Sequence, residues 1–173
     1  MTVLIVEDDE FKQRRIAQLV RDVRPEARLV LERSVNSGLN GIRNEHPDLI
    51  LLDMSLTTFD IGPGEPGGRP QNFGGMEILR QMERLEIAIP VVVITQHERF
   101  ARGSQEVHLS ALHRELTERH GQIFRALIYY NSAAGGWEKP LRAQIRQLLP
   151  ISSDHHVNKG SSGRRRPRKS STY

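Results

Sequence analysis

Short, unbroken apolar runs recur along this chain and alternate with segments in which apolar residues have helical spacing. The clearest strands predicted from these runs cover residues 3–6, 48–53 and 90–95. Strands without polar alternation are typical of parallel sheets buried on both faces. Their alternation with helices is typical of βα repeats. The pattern predicts an α/β fold with a doubly wound, five-stranded parallel sheet and helices on both faces.

The individual elements follow from the same pattern. Strands are predicted over residues 3–6, 28–32, 48–53, 90–95 and 123–130. Helices are predicted over residues 11–23, 34–46, 76–85, 104–120 and 139–149. These elements make one domain over residues 1–150. Residues 151–173 are rich in Ser, Gly and Arg and are predicted to be a disordered basic tail.

The net charge of +4 is concentrated at the end of the chain. Six of the 25 lysines and arginines follow Asp154, and no acidic residue does. The 19 basic and 20 acidic residues that precede Asp154 nearly cancel, so the domain offers no general electrostatic attraction for nucleic acid. Only the tail weakly favours a nucleic-acid partner.

Composition excludes several other kinds of site and location. The chain has no cysteine, so disulfides and thiolate metal sites are excluded. No apolar run approaches the roughly 20 residues of a membrane-spanning helix. The first residues have the character of neither a signal peptide nor a transit peptide. A soluble cytoplasmic protein with no membrane partner is therefore expected.

Polar residues stand where the predicted strands end. Residues 7–9 are acidic and follow the first strand, Asp53 ends the third, Thr95 ends the fourth, and Lys139 follows the fifth. Ligands of doubly wound sheets bind beyond these strand ends. Converging carboxylates need a cation, and oxygen ligands without Cys or His favour Mg²⁺. Lys139 is singled out because Lys12 is the only other lysine before the tail.

Four motifs in this order resemble the receiver domain of bacterial response regulators in two-component signalling. They read VLIVEDDE over residues 3–10, PDLILLD over 47–53, PVVVIT over 90–95 and KP at 139–140. The resemblance covers nearly all of residues 1–149, and it implies the flavodoxin-like strand order 2-1-3-4-5. A stand-alone, somewhat atypical receiver is the family assignment that these motifs favour.

The resemblance implies a phosphoacceptor and a magnesium site. Asp53 resembles the aspartate that accepts the phosphoryl group. Glu7 and Asp8 resemble the acidic pair, with Asp8 a direct Mg²⁺ ligand and Glu7 acting through water. A register one place later, with Asp8 and Asp9 as the pair, stays open. Ser55 would offer its backbone carbonyl to the metal.

The resemblance also implies groups that bind the phosphoryl group after transfer. Thr95 would hydrogen-bond to it and Lys139 would form an ion pair with it. Pro140 would follow a cis peptide bond. Attack of the Asp53 carboxylate on a phosphohistidine would give an acyl phosphate, so any catalysis would be confined to self-catalysed phosphotransfer and dephosphorylation.

The implied partners are a sensor histidine kinase or phosphotransfer protein as donor and an unidentified protein target downstream. A second copy of the chain, forming a homodimer, is a further option. Two alternative functions are each consistent with part of this interpretation. One is a receiver used as a phosphorylation-independent interaction module, and the other is a Mg²⁺-dependent phosphohydrolase with Asp60 as its acid–base group.

Three departures from the family pattern bear on these expectations. The segment 55–75 is long and rich in Gly and Pro. Gln96 stands where the family usually has a small residue. The segment between Thr95 and Lys139 is also extended, which predicts a longer fourth helix and a longer loop after the fifth strand. Within this third segment, Gly136 stands in place of the family's switch aromatic, with Tyr129, Tyr130 and Trp137 as substitutes.

Overall fold

The computed structural model describes residues 1–60 and 73–151. The strands are β1 (Thr2–Val6), β2 (Arg28–Glu32), β3 (Leu49–Leu52), β4 (Val91–Thr95), β5 (Arg99–Arg102), β6 (Gln105–His108) and β7 (Phe124–Tyr129). The helices are α1 (Glu10–Val23), α2 (Val35–Glu45), α3 (Gly74–Arg84), α4 (Leu109–His120) and α5 (Glu138–Leu148).

Five of the strands form one parallel sheet in the order β2-β1-β3-β4-β7. Since β7 is the fifth strand of this sheet along the chain, the predicted order 2-1-3-4-5 is confirmed. The three central strands are buried along almost their whole length, which explains their continuous apolar sequence. Their carboxyl ends therefore meet at one edge of the molecule.

Helices cover both faces of the sheet, as predicted. Helices α1 and α5 pack on one face through residues such as Ile16, Val20 and Ile145. Helices α2, α3 and α4 pack on the other, through residues such as Ile42 and Leu112. Two apolar cores result, one on each side of the sheet. None of the helices in the described parts of the chain is long and apolar enough to cross a membrane.

The predicted helix over 104–120 is wrong at its beginning. Residues 99–108 form an antiparallel hairpin, β5–β6, and α4 begins only at Leu109. Gly103 and Ser104 make the two-residue turn, in which Gly103 has a φ of 62°. A positive φ at such a turn favours glycine. The extension between Thr95 and Lys139 therefore adds a hairpin and does not lengthen the fourth helix.

The predicted cis peptide bond before Pro140 is also wrong, since no peptide bond among residues 1–60 and 73–151 is cis. Pro140 lies in the first turn of α5. Proline is tolerated there in the ordinary trans form, because the first turn needs no intrahelical N–H donor. Most of the long segment after Asp53 and the whole of 152–173, where the disordered tail was predicted, lie outside the described residues.

Candidate functional site

The first and third strands place two acidic residues side by side. Val6 of β1 pairs with Leu52 of β3, so the residues that follow them, Glu7 and Asp53, leave the sheet together. The Asp53 N–H donates to the Val6 carbonyl at 2.9 Å, which fixes Asp53 against the end of β1. Both side chains are buried, with 2 % of Glu7 and 4 % of Asp53 exposed.

Asp8 completes an acidic cluster with these two residues. One carboxylate oxygen from each of Glu7, Asp8 and Asp53 lies within 4.8 Å of the others. Asp9 does something else: its carboxylate accepts the Lys12 backbone N–H at 2.8 Å and caps the N-terminus of α1. Of the two registers that the sequence left open, this geometry favours Glu7 and Asp8 as the acidic pair.

A lysine that the sequence analysis gave no role lies within this cluster. Lys12, in the first turn of α1, is 1 % exposed. Its Nζ lies 2.5 Å from Glu7 Oε2 and 2.7 Å from Asp53 Oδ1. The same nitrogen donates to the Ile94 carbonyl at 2.9 Å. All three N–H donors of the ammonium therefore have an acceptor.

Burial and charge shift the protonation of these groups. Burial raises the pKa of Glu7 to about 8, and repulsion by Asp53 adds to the rise, while attraction to Lys12 opposes it. Burial raises the pKa of Asp8 too, again with a contribution from Asp53. Burial lowers the pKa of Lys12, but attraction to Asp53 and Glu7 outweighs it, so the net pKa is raised. Lys12 is therefore charged at neutral pH.

The remaining polar groups come from β4 and from the segment after β3. The Ser55 N–H donates to Asp53 Oδ2 at 2.9 Å and holds that oxygen on the side away from Lys12. Thr95, at the end of β4, is fully buried, and its hydroxyl accepts the His97 N–H at 3.2 Å. Both residues lie where the strand-end rule predicts.

Lys139 is not brought to the carboxylates. Its side chain is exposed in the first turn of α5, and it forms no ion pair within the described ranges 1–60 and 73–151. Arg15 ties this turn to α1, because its guanidinium lies 2.9 Å from Glu138. In this structure, the ammonium group beside Asp53 is that of Lys12.

Two aromatic residues lie beside the cluster. The Lys12 Nζ is 5.7 Å from the centre of the Tyr130 ring, and that ring packs on Trp137 with centroids 4.8 Å apart. Both rings are buried. Of the three substitutes considered for the switch aromatic, Tyr130 and Trp137 thus lie in the core. Gln96 is exposed and lines a small cleft of about 350 Å³ with Tyr129 and Tyr130.

Two residues near the cluster were missed from the sequence, and both had a detectable signal. Lys12 lies one helical turn before Ile16 and two before Val20, so it belongs to the buried face of α1. Gln13 is also buried, and its amide donates to the carbonyls of Glu7 and Glu32. A polar residue on an apolar helical face that points toward strand-end acids is a candidate site residue.

The residues fit a divalent cation. Glu7, Asp8 and Asp53 supply hard oxygen ligands from three carboxylates, the chemistry that Mg²⁺ prefers. Apart from the ion pair with Lys12, no described donor reaches the buried Glu7 Oε2. Among the residues that the structure describes, this is the one group of acidic or histidine side chains close enough to hold a metal.

Asp60, the acid–base group of the phosphohydrolase alternative, lies outside this cluster. Its carboxylate accepts the Ser37 hydroxyl at 3.0 Å, beside α2. Asp53 could therefore act as a buried nucleophile, but the acid–base group that the phosphohydrolase alternative expects at Asp60 does not lie beside it.

Comparison with known proteins identifies similar sequences and structures. A family model described as "Response regulator receiver domain" matches residues 3–112, which include Glu7, Asp8, Asp53 and Thr95 and stop short of Lys139. "Uncharacterized protein y4jR" of Sinorhizobium fredii is 27 % identical over 145 residues, covering 82 % of this chain and 95 % of that protein.

Two further matches cover most of this chain. "Detocs response regulatory protein DtcB" of Enterobacter cloacae is 23 % identical over 150 residues, covering 86 % of this chain and all of that protein. The response regulator TrrA of Thermotoga maritima, solved in complex with Mg²⁺-BeF, has a TM-score of 0.55 at 11 % identity. That likeness covers 86 % of this chain and 98 % of TrrA, and it concerns the fold alone.

Proposed function

Because this chain belongs to the family of response regulator receiver domains, we propose that it receives a phosphoryl group on Asp53 in a Mg²⁺-dependent reaction. The observation that carries the proposal is the acidic cluster, in which oxygens of Glu7, Asp8 and Asp53 lie within 4.8 Å of one another. Both oxygens of Asp53 are held by donors, Lys12 on one and the Ser55 N–H on the other.

The proposed reaction is transfer from a phosphohistidine. A carboxylate oxygen of Asp53 forms a bond to phosphorus as the P–N bond to the donor imidazole breaks, and the leaving imidazole nitrogen takes up a proton from solvent water. Glu7, Asp8, Asp53 and the Ser55 carbonyl would hold Mg²⁺, which offsets the negative charge of nucleophile and phosphoryl oxygens when bound. The Ser55 N–H keeps the carboxylate oriented.

Groups of this chain would then hold the product. The Thr95 hydroxyl, buried at the end of β4, is proposed to hydrogen-bond to the phosphoryl oxygens. Lys139 is proposed as their ion-pair partner, but its exposed ammonium would have to move toward Asp53 to reach them. Such a movement would couple phosphorylation to the first turn of α5.

The proposed donor is a sensor histidine kinase or a phosphotransfer protein in the cytoplasm, and the proposed output is contact with a downstream protein. The match to DtcB, which is named a response regulatory protein, agrees with a signalling role. Receiver domains are signalling domains, so no turnover of an external substrate is proposed.

The test is phosphorylation by a small donor. The protein is incubated with Mg²⁺ and acetyl phosphate, and its intact mass is measured beside Asp53→Asn and Asp48→Asn variants. We expect one added phosphoryl group in the wild type and in Asp48→Asn, since Asp48 lies at the opposite end of β3. We expect none in Asp53→Asn. An unmodified wild type, or a labelled Asp53→Asn, would contradict the proposal.

One observation favours a second candidate, a receiver that acts as an interaction module without phosphorylation. Lys12 already neutralises Asp53 inside the site, so this carboxylate has a counter-ion without a divalent cation. In that case the wild type would gain no phosphoryl group, and it would bind its protein partner equally well with and without acetyl phosphate.

A further inference from the structure

We propose that Lys12 is a built-in counter-ion that competes with Mg²⁺ for the acidic cluster and must leave before the divalent ion is bound. This inference rests on the proposed function only in taking Glu7, Asp8 and Asp53 as the divalent-cation site. It gives Lys12 a role in metal binding that does not depend on whether Asp53 accepts a phosphoryl group.

The position of the ammonium is the first argument. Its nitrogen lies between Glu7 Oε2, at 2.5 Å, and Asp53 Oδ1, at 2.7 Å. Both residues also belong to the cluster of oxygens that could hold a metal. The ammonium therefore contacts two of the three carboxylates that would bind the divalent cation.

Burial is the second argument. Lysine side chains ordinarily extend to solvent and keep the ammonium hydrated. Lys12 is 1 % exposed, and its third donor is satisfied by the Ile94 carbonyl at 2.9 Å. Since all three acceptors lie inside the protein, the ammonium is held in the site by defined contacts and does not merely pass near it.

Electrostatics is the third argument. A divalent ion ligated by the same carboxylates would lie within a few ångströms of the ammonium, because Mg²⁺ binds oxygen at about 2.0–2.1 Å. Like charges repel strongly at such distances in a buried site. The two cations therefore exclude each other, and the affinity for Mg²⁺ is lowered by the cost of displacing Lys12.

The surroundings of Lys12 provide a reporter for that displacement. Its ammonium lies 5.7 Å from the centre of the Tyr130 ring, which packs on Trp137. Trp137 is the only tryptophan in the sequence. Removal of a charge beside this pair is expected to change the fluorescence of Trp137.

The main experiment is a Mg²⁺ titration of metal-free protein at one fixed pH, followed by calorimetry and by Trp137 fluorescence. Wild type is compared with Lys12→Met and with the matched control Arg14→Met, which removes an exposed positive charge from the same helix. We expect Lys12→Met to bind Mg²⁺ at least about tenfold more tightly, within the usual range of coupling between two sites. Arg14→Met should bind Mg²⁺ as the wild type does. Equal or weaker binding by Lys12→Met would overturn the inference.

Thermal unfolding gives an independent reading from the same variants. In EDTA, Lys12→Met should unfold several degrees below the wild type, because Asp53 loses its buried partner. Added Mg²⁺ should raise its Tm more than it raises that of the wild type, since the divalent ion replaces the missing charge. A purely structural role for Lys12 would predict the same rise in both proteins.

A measurement on the wild-type protein tests the inference even if Lys12→Met does not fold. The wild type is treated with an amine-reactive acetylating reagent with and without Mg²⁺, and modification is quantified by peptide mass spectrometry. Lys12 should be protected without Mg²⁺ and modified with it, whereas exposed Lys139 serves as the internal reference and should react equally in both. Unchanged protection of Lys12 at saturating Mg²⁺ would overturn the inference. Neither result depends on phosphorylation of Asp53.

Discussion

The protonation states of Glu7 and Lys12 together determine the net charge of the acidic cluster. Burial raises the pKa of Glu7 to about 8, and the pKa of Lys12 is raised by Asp53 and Glu7 against the effect of burial. Below pH 8, in the absence of metal, the favoured state has a protonated Glu7 and an ion pair between Lys12 and Asp53. The site is then nearly neutral, which a buried cluster requires.

This protonation predicts how stability depends on pH. Native Glu7 keeps its proton up to about pH 8, whereas the unfolded chain releases it near pH 4.5. The native state binds more protons between these values, so stability falls as the pH rises. We expect urea unfolding of the metal-free wild type to show a loss of the order of a few kcal/mol between about pH 5 and pH 8.

Glu7→Gln is the control for this prediction, because the amide keeps the shape of the side chain and does not titrate. Its stability should fall much less over the same range, with a residual slope from Asp8, whose pKa is shifted in the same direction. Parallel profiles for the two proteins would show that Glu7 is ionised in both folded and unfolded states.

At the scale of elements, the start of α3 lies directly against the backbone at Asp53. A Cβ added to Gly75 would lie 2.5 Å from the Asp53 carbonyl oxygen and 3.1 Å from the Met54 Cα. Both are backbone atoms that cannot rotate away. Helix α3 can therefore begin here only with glycine, and its position and that of Asp53 are fixed together.

Gly75→Ala is accordingly expected to disturb the fold and the site at once. The added methyl must push α3 away from Asp53, so the free energy of unfolding should fall by about 1–3 kcal/mol, as for overpacked cores, and Mg²⁺ affinity should fall with it. Gly136→Ala is the control, because nothing lies within 4 Å of a Cβ at that position. If the two variants had equal stability in urea, the close approach at Gly75 would not matter.

The helices and strands also show how much of the fold could be predicted from the sequence. The five strands of the sheet, their order and the acidic strand ends were predictable, because buried parallel strands have a simple apolar pattern that ends in charge. The β5–β6 hairpin was not, because the helical spacing of Leu109, Leu112 and Leu116 was extended back through Val107 and outweighed the turn signal of Gly103-Ser104. Lys12 was missed because a lysine is ordinarily assigned to solvent, although its spacing to Ile16 and Val20 places it on the buried face of α1.

At the scale of the whole molecule, the layer formed by α1 and α5 is joined at both ends. Near the site, Arg15 contacts Glu138 at the start of α5. At the other end, buried Arg24 donates to the Leu149 carbonyl at 2.7 Å and to the Arg146 carbonyl at 3.4 Å. These contacts hold α5 against α1, and with it Trp137 beside the Lys12–Tyr130 pair.

The two ends of this layer allow a test of how much such contacts stabilise the fold. Arg24→Met keeps the apolar stem but leaves the carbonyls of Leu149 and Arg146 without their charged donor. We expect the free energy of unfolding to fall by about 2 kcal/mol, the usual cost of losing hydrogen bonds to a buried charge. Arg142→Met is the matched control on the same pair of helices, because Arg142 forms only a half-exposed ion pair with Asp22 at 3.3 Å. That variant should change stability by no more than about 0.5 kcal/mol. Equal losses in urea would mean that the hydrogen bonds of buried Arg24 stabilise the fold no more than the exposed ion pair of Arg142 does.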